Sequence, residues 1–271
     1  MQASTAVGPA RQLYCGRGFT EALETAPLTG HSLWILSAGM GLITAADHIP
    51  AYDLTLAGTS TNSIRSKIVP GPFRADRWWS HINKLREEQR SLSWLLHRHP
   101  KTTLVLTLSA AYAELVKTDL EKLDVADLNR LRIIGLASDD PLPLRLKPLW
   151  MPYDDRLDGP DSQIAGTKSD FPQRATRHFI EMILASDPTA PAEQHRTQVE
   201  AALANKRRPC IPQRERMSDQ EILTVITQEW DKADNSASRM LRILRDDRRI
   251  ACEQKRFSVL FKQARARRSA R

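Results

Sequence analysis

The chain has few cysteines and no long apolar run, and each shortage closes off a class of protein. Cys15, Cys210 and Cys252 are the only cysteines among 271 residues. Odd in number, far apart and without CxxC spacing, they exclude a disulfide framework or a cysteine zinc site and read as reduced thiols of a cytoplasmic protein. No apolar stretch approaches the roughly 18 residues of a spanning helix, so no membrane partner is expected. The opening MQASTAVGPARQ lacks the apolar core of a signal peptide. Glycine is too sparse around Gly39 and Gly41 for a dinucleotide fingerprint, with no third glycine or helix start in place. No cofactor is expected, and no internal repeat is visible.

What is present is an ordinary soluble composition, 41% hydrophobic and 27% charged, in a chain long enough for one large domain and a small one. The net charge of +8 is unevenly placed. From Lys206 onward there are 18 Lys/Arg against 9 Asp/Glu, leaving 22 against 23 before it. A basic C-terminal quarter suggests a polyanion partner, most often nucleic acid, although a solvated tail has the same composition.

Along the chain, Leu13-Tyr14-Cys15 reads as a short strand, Phe19 to Ala26 as a helix and Leu33 to Ser37 as a buried strand. Residues 57–72 read as a long loop, and Asp76 to His97 as one helix with Trp79, Ile82, Leu85, Leu92 and Leu96 on one face. Further strands are expected at 103–108, 131–136 and 149–153, with a helix between the first two. Another helix spans Phe171 to Leu184, with Asp170 as N-cap and Pro172 in its first turn. Alternating strands and helices predict an α/β fold with a largely parallel sheet flanked by helices, over residues 1–186. A proline-rich connector follows at 187–217. Residues 218–271 predict a small winged-helix-like unit: a helix over 219–231 capped by Ser218, a second over 236–249, and a possible ribbon over 253–263. On the second helix Arg239, Arg242, Arg245 and Arg249 share a face, and the basic run continues through Lys255, Arg256, Lys262, Arg265, Arg267 and Arg268. Such a face can contact phosphates or read guanine, and neutralising several phosphates would dominate affinity.

The stretch ILSAGMGLITAADHIPAYDLTL begins as a strand and then breaks at two glycines before presenting Tyr52 and Asp53. In a parallel α/β sheet, ligands collect beyond the carboxyl ends of strands. Gly16, Ser37, Gly39, Gly41, Tyr153 and Asp154 fall at such ends. Gly39 and Gly41 allow close backbone approach to a flat ligand or a turn with positive φ. Tyr14 and Tyr52 can stack on a base, and Asp53 can act as a base or stabilise positive charge. A tight turn with a buried tyrosine is the alternative.

LYCGxGF (Leu13 to Phe19), ILSAGMGLI and IPAYDLTL resemble the YaaA-like family, which carries an LSAKYGLL…PYD-type pattern after a first strand. The resemblance covers roughly the first 60 residues and departs at Gly39-Met40, where the family has Lys-Tyr. It implies an α/β architecture similar to uracil-DNA-glycosylase-related folds and base chemistry on nucleic acid. It extends to antiphage DNA glycosylases that remove glucosylated hydroxymethylcytosine from phage DNA.

Cleavage of an N-glycosidic bond needs a carboxylate near a sugar with oxocarbenium character and a pocket for the extruded base. Asp53 fits the first role and Asn62, in a polar loop, can orient water or bind a base edge. A second cluster, Tyr153-Asp154-Asp155-Arg156 and Gly166 to His178, offers Arg156, Lys168, Arg174 and Arg177 for DNA, with Arg174, Arg177 and His178 on the outer face of their helix. It lacks metal-ligand spacing, which disfavours zinc deamination. The residues predict a metal-independent DNA glycosylase acting on double-stranded, modified DNA in antiviral defence. A DNA-binding regulator with a nucleotide-sensing domain and a base-modifying transferase are the alternatives.

Overall fold

The computed structural model of the chain describes residues 7–28, 30–58, 60–68, 71–85, 88–210 and 212–269. They form an α/β protein of two compact units, Met1–Pro209 and Cys210–Arg271. No described helix is long and apolar enough to cross a membrane.

The first unit opens with β1 (Val7–Pro9), the helical turn α1 (Ala10–Leu13) and α2 (Arg17–Leu28). Three short strands follow: β2 (Trp34–Ser37), β3 (Gly41–Thr44) and β4 (His48–Pro50). Helices α3 (Ile64–Lys67), α4 (Ala75–Lys84) and α5 (Leu92–Arg98) lead to β5 (Leu104–Thr107). Then α6 (Ala110–Leu115), α7 (Lys117–Glu121) and α8 (Val125–Asn129) lead to β6 (Leu131–Ile134). After two 3-10 turns come α9 (Phe171–His178), continued by a π-helical segment through Leu184, and α10 (Ala192–Ala204).

The strands pair two by two among the described residues, and a large parallel sheet is not what they form. β5 and β6 are parallel in register Leu104↔Leu131, and the expected strand at 149–153 adds a single parallel bridge, Ile133↔Trp150. β2 and β3 instead form an antiparallel hairpin, Ser37 opposite Gly41. The apolar run at 33–37 is the strand expected there, and Gly41 at φ 73° closes the tight turn, open mainly to glycine, that folds the chain back on it. Leu13 to Cys15 is not a strand either. Pro9 precedes a helical turn held by Ala10 and Arg11 amides donating to the Asp47 and Ala45 carbonyls.

The helix expected over 76–97 is two helices, with Leu85 73% exposed where the first ends and Ser91 capping the second by accepting from the Trp94 amide. The polar loop at 57–72 includes α3. Two large apolar clusters, beside a small one of Ala10, Ile43 and Ile49, fill the unit among the described residues. One joins Leu42, Trp79, Leu92, Leu106, Leu131 and Ile133; the other joins Met151, Phe179, Ile183, Val199 and Leu203. The second draws α10, placed by sequence within the connector, into the first unit. Arg132 of β6, 2% exposed, fastens it. Its guanidinium donates to His195 Nδ1 at 2.9 Å, to the Ala190 carbonyl at 2.7 Å and to the carbonyls of Asn129 and Leu131.

The second unit holds β7 (Glu215–Arg216), α11 (Asp219–Gln228), α12 (Trp230–Ala233), α13 (Ala237–Arg242) with a π-helical extension to Asp247, β8 (Ile250–Ala251) and α14 (Gln254–Ser269). Ser218 and Glu221 make a capping box on α11. The segment read as a possible ribbon is helix α14. Phe257, Leu260, Phe261 and Ala264 recur at helical spacing and bury against Trp230, whose ring stacks on Phe261 at 5.1 Å. β7 and β8 are a two-residue parallel pair.

Candidate functional site

The hairpin turn gives each of its two glycines a separate task. A Cβ on Gly41 would lie 2.4 Å from Asn83 Oδ1, the atom that accepts from the Leu42 amide at 3.1 Å. A Cβ on Gly39 would lie 2.7 Å from the Tyr52 ring. Gly41 therefore shapes the turn and Gly39 makes room for the tyrosine.

That room brings three hydroxyls together. Ser37, 2% exposed at the end of β2, accepts from the Met40 amide at 2.9 Å and from the Tyr14 hydroxyl at 2.6 Å. Tyr52 lies 2.5 Å from Ser37 Oγ, and its hydroxyl also meets that of Tyr14. A cyclic arrangement, Tyr14 to Ser37 to Tyr52 to Tyr14, satisfies every proton; Ser37, which also accepts from backbone amides, is saturated, and one lone pair on each tyrosine oxygen is left to accept from a ligand. Burial, opposed by the Ser37 bond and reinforced by Tyr52, pushes the Tyr14 phenol well above its ordinary pKa, so it stays a neutral donor.

Next along the chain, Asp53 is exposed and Asn62 Nδ2 donates to its carboxylate. The loop is clipped behind them: the Thr55 amide donates to the Asn62 carbonyl at 3.0 Å and the Ile64 amide to the Thr55 carbonyl at 2.9 Å. The two residues singled out for catalysis, nine apart in sequence, are thus in contact.

Beside the hydroxyl ring lies a cavity of about 660 Å³ between α2, β2, β5 and α9. Phe19, Leu36 and Tyr112 connect the two: Phe19 packs on Tyr14 with ring centroids 5.5 Å apart, Leu36 precedes Ser37, and Tyr112 interacts electrostatically with Tyr52 and Tyr14. Burial, with a smaller contribution from Tyr52, raises the Tyr112 pKa. Its hydroxyl makes no hydrogen bond among the described residues. Sequence reading passed over Tyr112 because it sits in an unremarkable helical stretch, AAYAEL; only the hydroxyl's proximity to Tyr52 marks it.

The other candidates are held elsewhere. Gly16 is exposed with φ 105°, in open space. Tyr153 is buried and bonded to His178 Nδ1 at 2.8 Å. Asp154 accepts from Arg156 and Arg208; burial works against its ionisation, but those bonds hold its pKa below the usual carboxylate value. Arg156 also donates to the Leu203 carbonyl, so it braces α10.

The expected outer face of α9 is turned inward. Arg174 is 5% exposed, paired with Asp158 at 2.6 Å and Asp170 at 2.7 Å, while His178 is buried, its pKa pushed down to about 4 by desolvation. Asp170 holds the N-cap position of α9 as expected, but its carboxylate makes no cap bond; it accepts from Thr167 and Arg174 and draws that face into the core. These carboxylates also take backbone amides at the start of the cluster: Gly166 donates to Asp158 and Thr167 to Asp170. Arg177 joins Glu21 and Glu181, tying α9 to α2; Lys168 is exposed. Among the described residues no cluster of three His, Cys, Asp or Glu side chains is placed to hold a metal ion.

In the second unit the arginine face is broken up by the π-helical extension, which shifts the phase after Arg242. Arg245 donates to the Cys252 carbonyl at 2.8 Å, and Arg249 lies beyond the helix at φ 51°. Arg239 pairs with Asp234, Arg256 with Asp219 and Arg268 with Asp231. Arg242, Lys255, Lys262 and Arg267 are exposed. The α14 sequence itself, which carries Lys255, Arg256, Lys262, Arg265, Arg267 and Arg268, contains no acidic residue.

Residues 2–122 match a family described as a family of unknown function (DUF6884). No curated protein and no solved structure matches the chain. The matched stretch contains the hydroxyl ring, the Asp53–Asn62 pair and Tyr112, and stops before α9 and the second unit.

Proposed function

We propose that the first unit excises a base from DNA by hydrolysing its N-glycosidic bond, with the second unit holding the DNA backbone. The observation that carries this reading is the placement of the Asp53–Asn62 pair directly after Tyr52, a member of the hydroxyl ring beside a cavity. An extruded base meets the lone pairs left free on the tyrosine oxygens of the ring. The Asp53 carboxylate stands where positive charge develops on the sugar, and the Asn62 amide fixes its direction. Water adds its oxygen to the anomeric carbon and gives its proton to the carboxylate, and the bonding pair leaves with the base. None of these parts requires a metal or a cofactor.

The YaaA-like resemblance points to a modified pyrimidine in phage DNA, such as glucosylated hydroxymethylcytosine, and to a cytoplasmic role in antiviral defence. In this reading the second unit, winged-helix-like in its sequence of α11, α13 and the β7–β8 pair, engages phosphates through exposed cations. Incubating the protein with ordinary and hypermodified phage DNA and assaying alkali-labile sites tests the proposal. Sites are expected on the modified DNA alone; their absence from every DNA would sink the reading. The mainly apolar cavity favours one alternative, a DNA-binding regulator whose first unit senses a ligand. It predicts ligand-dependent DNA affinity without turnover.

A further inference from the structure

β2 and β5 each carry a continuous apolar run, WIL and LVL, yet Trp34, Ile35, Leu36, Leu104 and Val105 stay only half buried inside the first unit. They line the 660 Å³ cavity, and neither strand pairs across it: β2 bonds to β3 and β5 to β6. The remaining wall is largely apolar, from Phe19 and Ala22 on α2, through Leu92 and Leu96 on α5, to Ile180 after α9. Thr107 and Thr176 on its wall bond each other at 2.6 Å, whereas the Tyr112 hydroxyl and the buried Gln173 Oε1 have no hydrogen-bond partner among the described residues.

A dry cavity of about 150 Å³ lined by Leu, Ile and Phe takes up one benzene. A volume of 660 Å³ therefore accommodates several fused or linked rings, within the roughly 300–1,000 Å³ of small-molecule sites. Apolar walls without contact partners lose dispersion contacts, and a ligand that fills them restores those contacts. A charged ligand would be desolvated there with no counter-charge on the wall. Asp53 and Asn62 do not line this cavity.

We infer that the cavity is a binding site for an uncharged, mainly apolar ring compound with one hydrogen-bonding end, which meets Tyr112. This site goes beyond the base-excising reading and stands or falls separately from it.

The full-length protein is titrated with N-phenyl-1-naphthylamine, an uncharged probe, following fluorescence and the melting midpoint. Saturable binding of one probe per chain is expected, with a midpoint that climbs with the logarithm of probe concentration. Ala22→Leu and then Ala22→Phe fill the cavity stepwise and should weaken the probe progressively, the second by tenfold or more, while each variant keeps a cooperative melt. Tyr112→Phe should weaken 1-naphthol about five- to tenfold relative to naphthalene, as one lost hydrogen bond predicts. Asp53→Asn should bind the probe as the parent does. Non-saturable fluorescence, or Ala22→Leu and Ala22→Phe variants that melt cooperatively and bind undiminished, overturns the inference. Loss of probe binding with base release intact refutes this site alone; probe binding without base release refutes the glycosylase reading alone.

Discussion

One methyl group at Gly39 decides whether Tyr52 can reach Ser37. A Cβ there sits 2.7 Å from the ring, so Gly39→Ala should cost about 1–3 kcal/mol in urea unfolding. Combining it with Tyr52→Ala should recover much of that loss, because the two changes share one contact. Undiminished additivity would mean the ring is not what Gly39 accommodates. Asp53 is the opposite case. Its side chain is exposed and carries little packing, so Asp53→Asn should leave the melting midpoint nearly unchanged while lowering base release about 10²-fold or more. A folded Asp53→Asn protein releasing base at the parental rate would remove Asp53 from the proposed chemistry. Asp53 and Asn62 were each singled out by residue type and loop position, but their contact was not legible, because it depends on how the loop folds back. The hydroxyl of Tyr112 was not legible either, because a tyrosine in a helix carries no spacing signal for a partner on another element.

Among the elements, those with local reasons to form were the readable ones. Helix α11 announces itself by Ser218 and Glu221 around an apolar run, and its inward residues Ile222, Leu223 and Ile226 are buried as their periodicity requires. Ser218→Ala should accordingly lower the stability of the second unit by about 1 kcal/mol, read from the later or earlier of two transitions in differential scanning calorimetry. A midpoint that does not move would show the cap to be idle. Features decided by distant partners were misread. Strand β2 was legible as a strand, but its antiparallel pairing with β3, set by a glycine conformation, was not, and α14 hides its helical period behind interleaved lysines and arginines. The arginine face expected on 236–249 failed for a geometric reason: the π-helical extension shifts every side chain after Arg242. The face of α9 was misjudged because Asp158 and Asp170 make a buried arginine tolerable at position 174.

At the scale of the molecule, two dependences on conditions follow. His178 is buried as a neutral ring, its pKa near 4 against an ordinary 6.5. The unfolded chain therefore binds the extra proton between those values, so stability is full above about pH 6.5 and falls as the pH drops towards 4, by up to roughly 3 kcal/mol. Urea titrations at pH 7.5 and 4.5 should show a smaller difference for His178→Gln than for the parent; an equal difference would exclude this histidine. The second dependence is on salt. Lys255→Gln with Lys262→Gln should weaken DNA binding and reduce its salt slope by about 2, since both are exposed on α14. An unchanged slope would place the phosphate contacts elsewhere.

Arg132 also determines where the polypeptide can be severed. Its buried charge faces neutral acceptors, two of them, the Ala190 carbonyl and His195 Nδ1, supplied from beyond residue 186. A fragment stopping at 186 loses both and, with α10 gone, uncovers the apolar face that Val199 and Leu203 bury, at a cost of roughly 3–6 kcal/mol that a unit of this size can hardly absorb. A fragment running to 209 keeps them. Autonomy in this protein thus belongs to the longer piece, and the helix that composition assigns to a tether is in fact the latch.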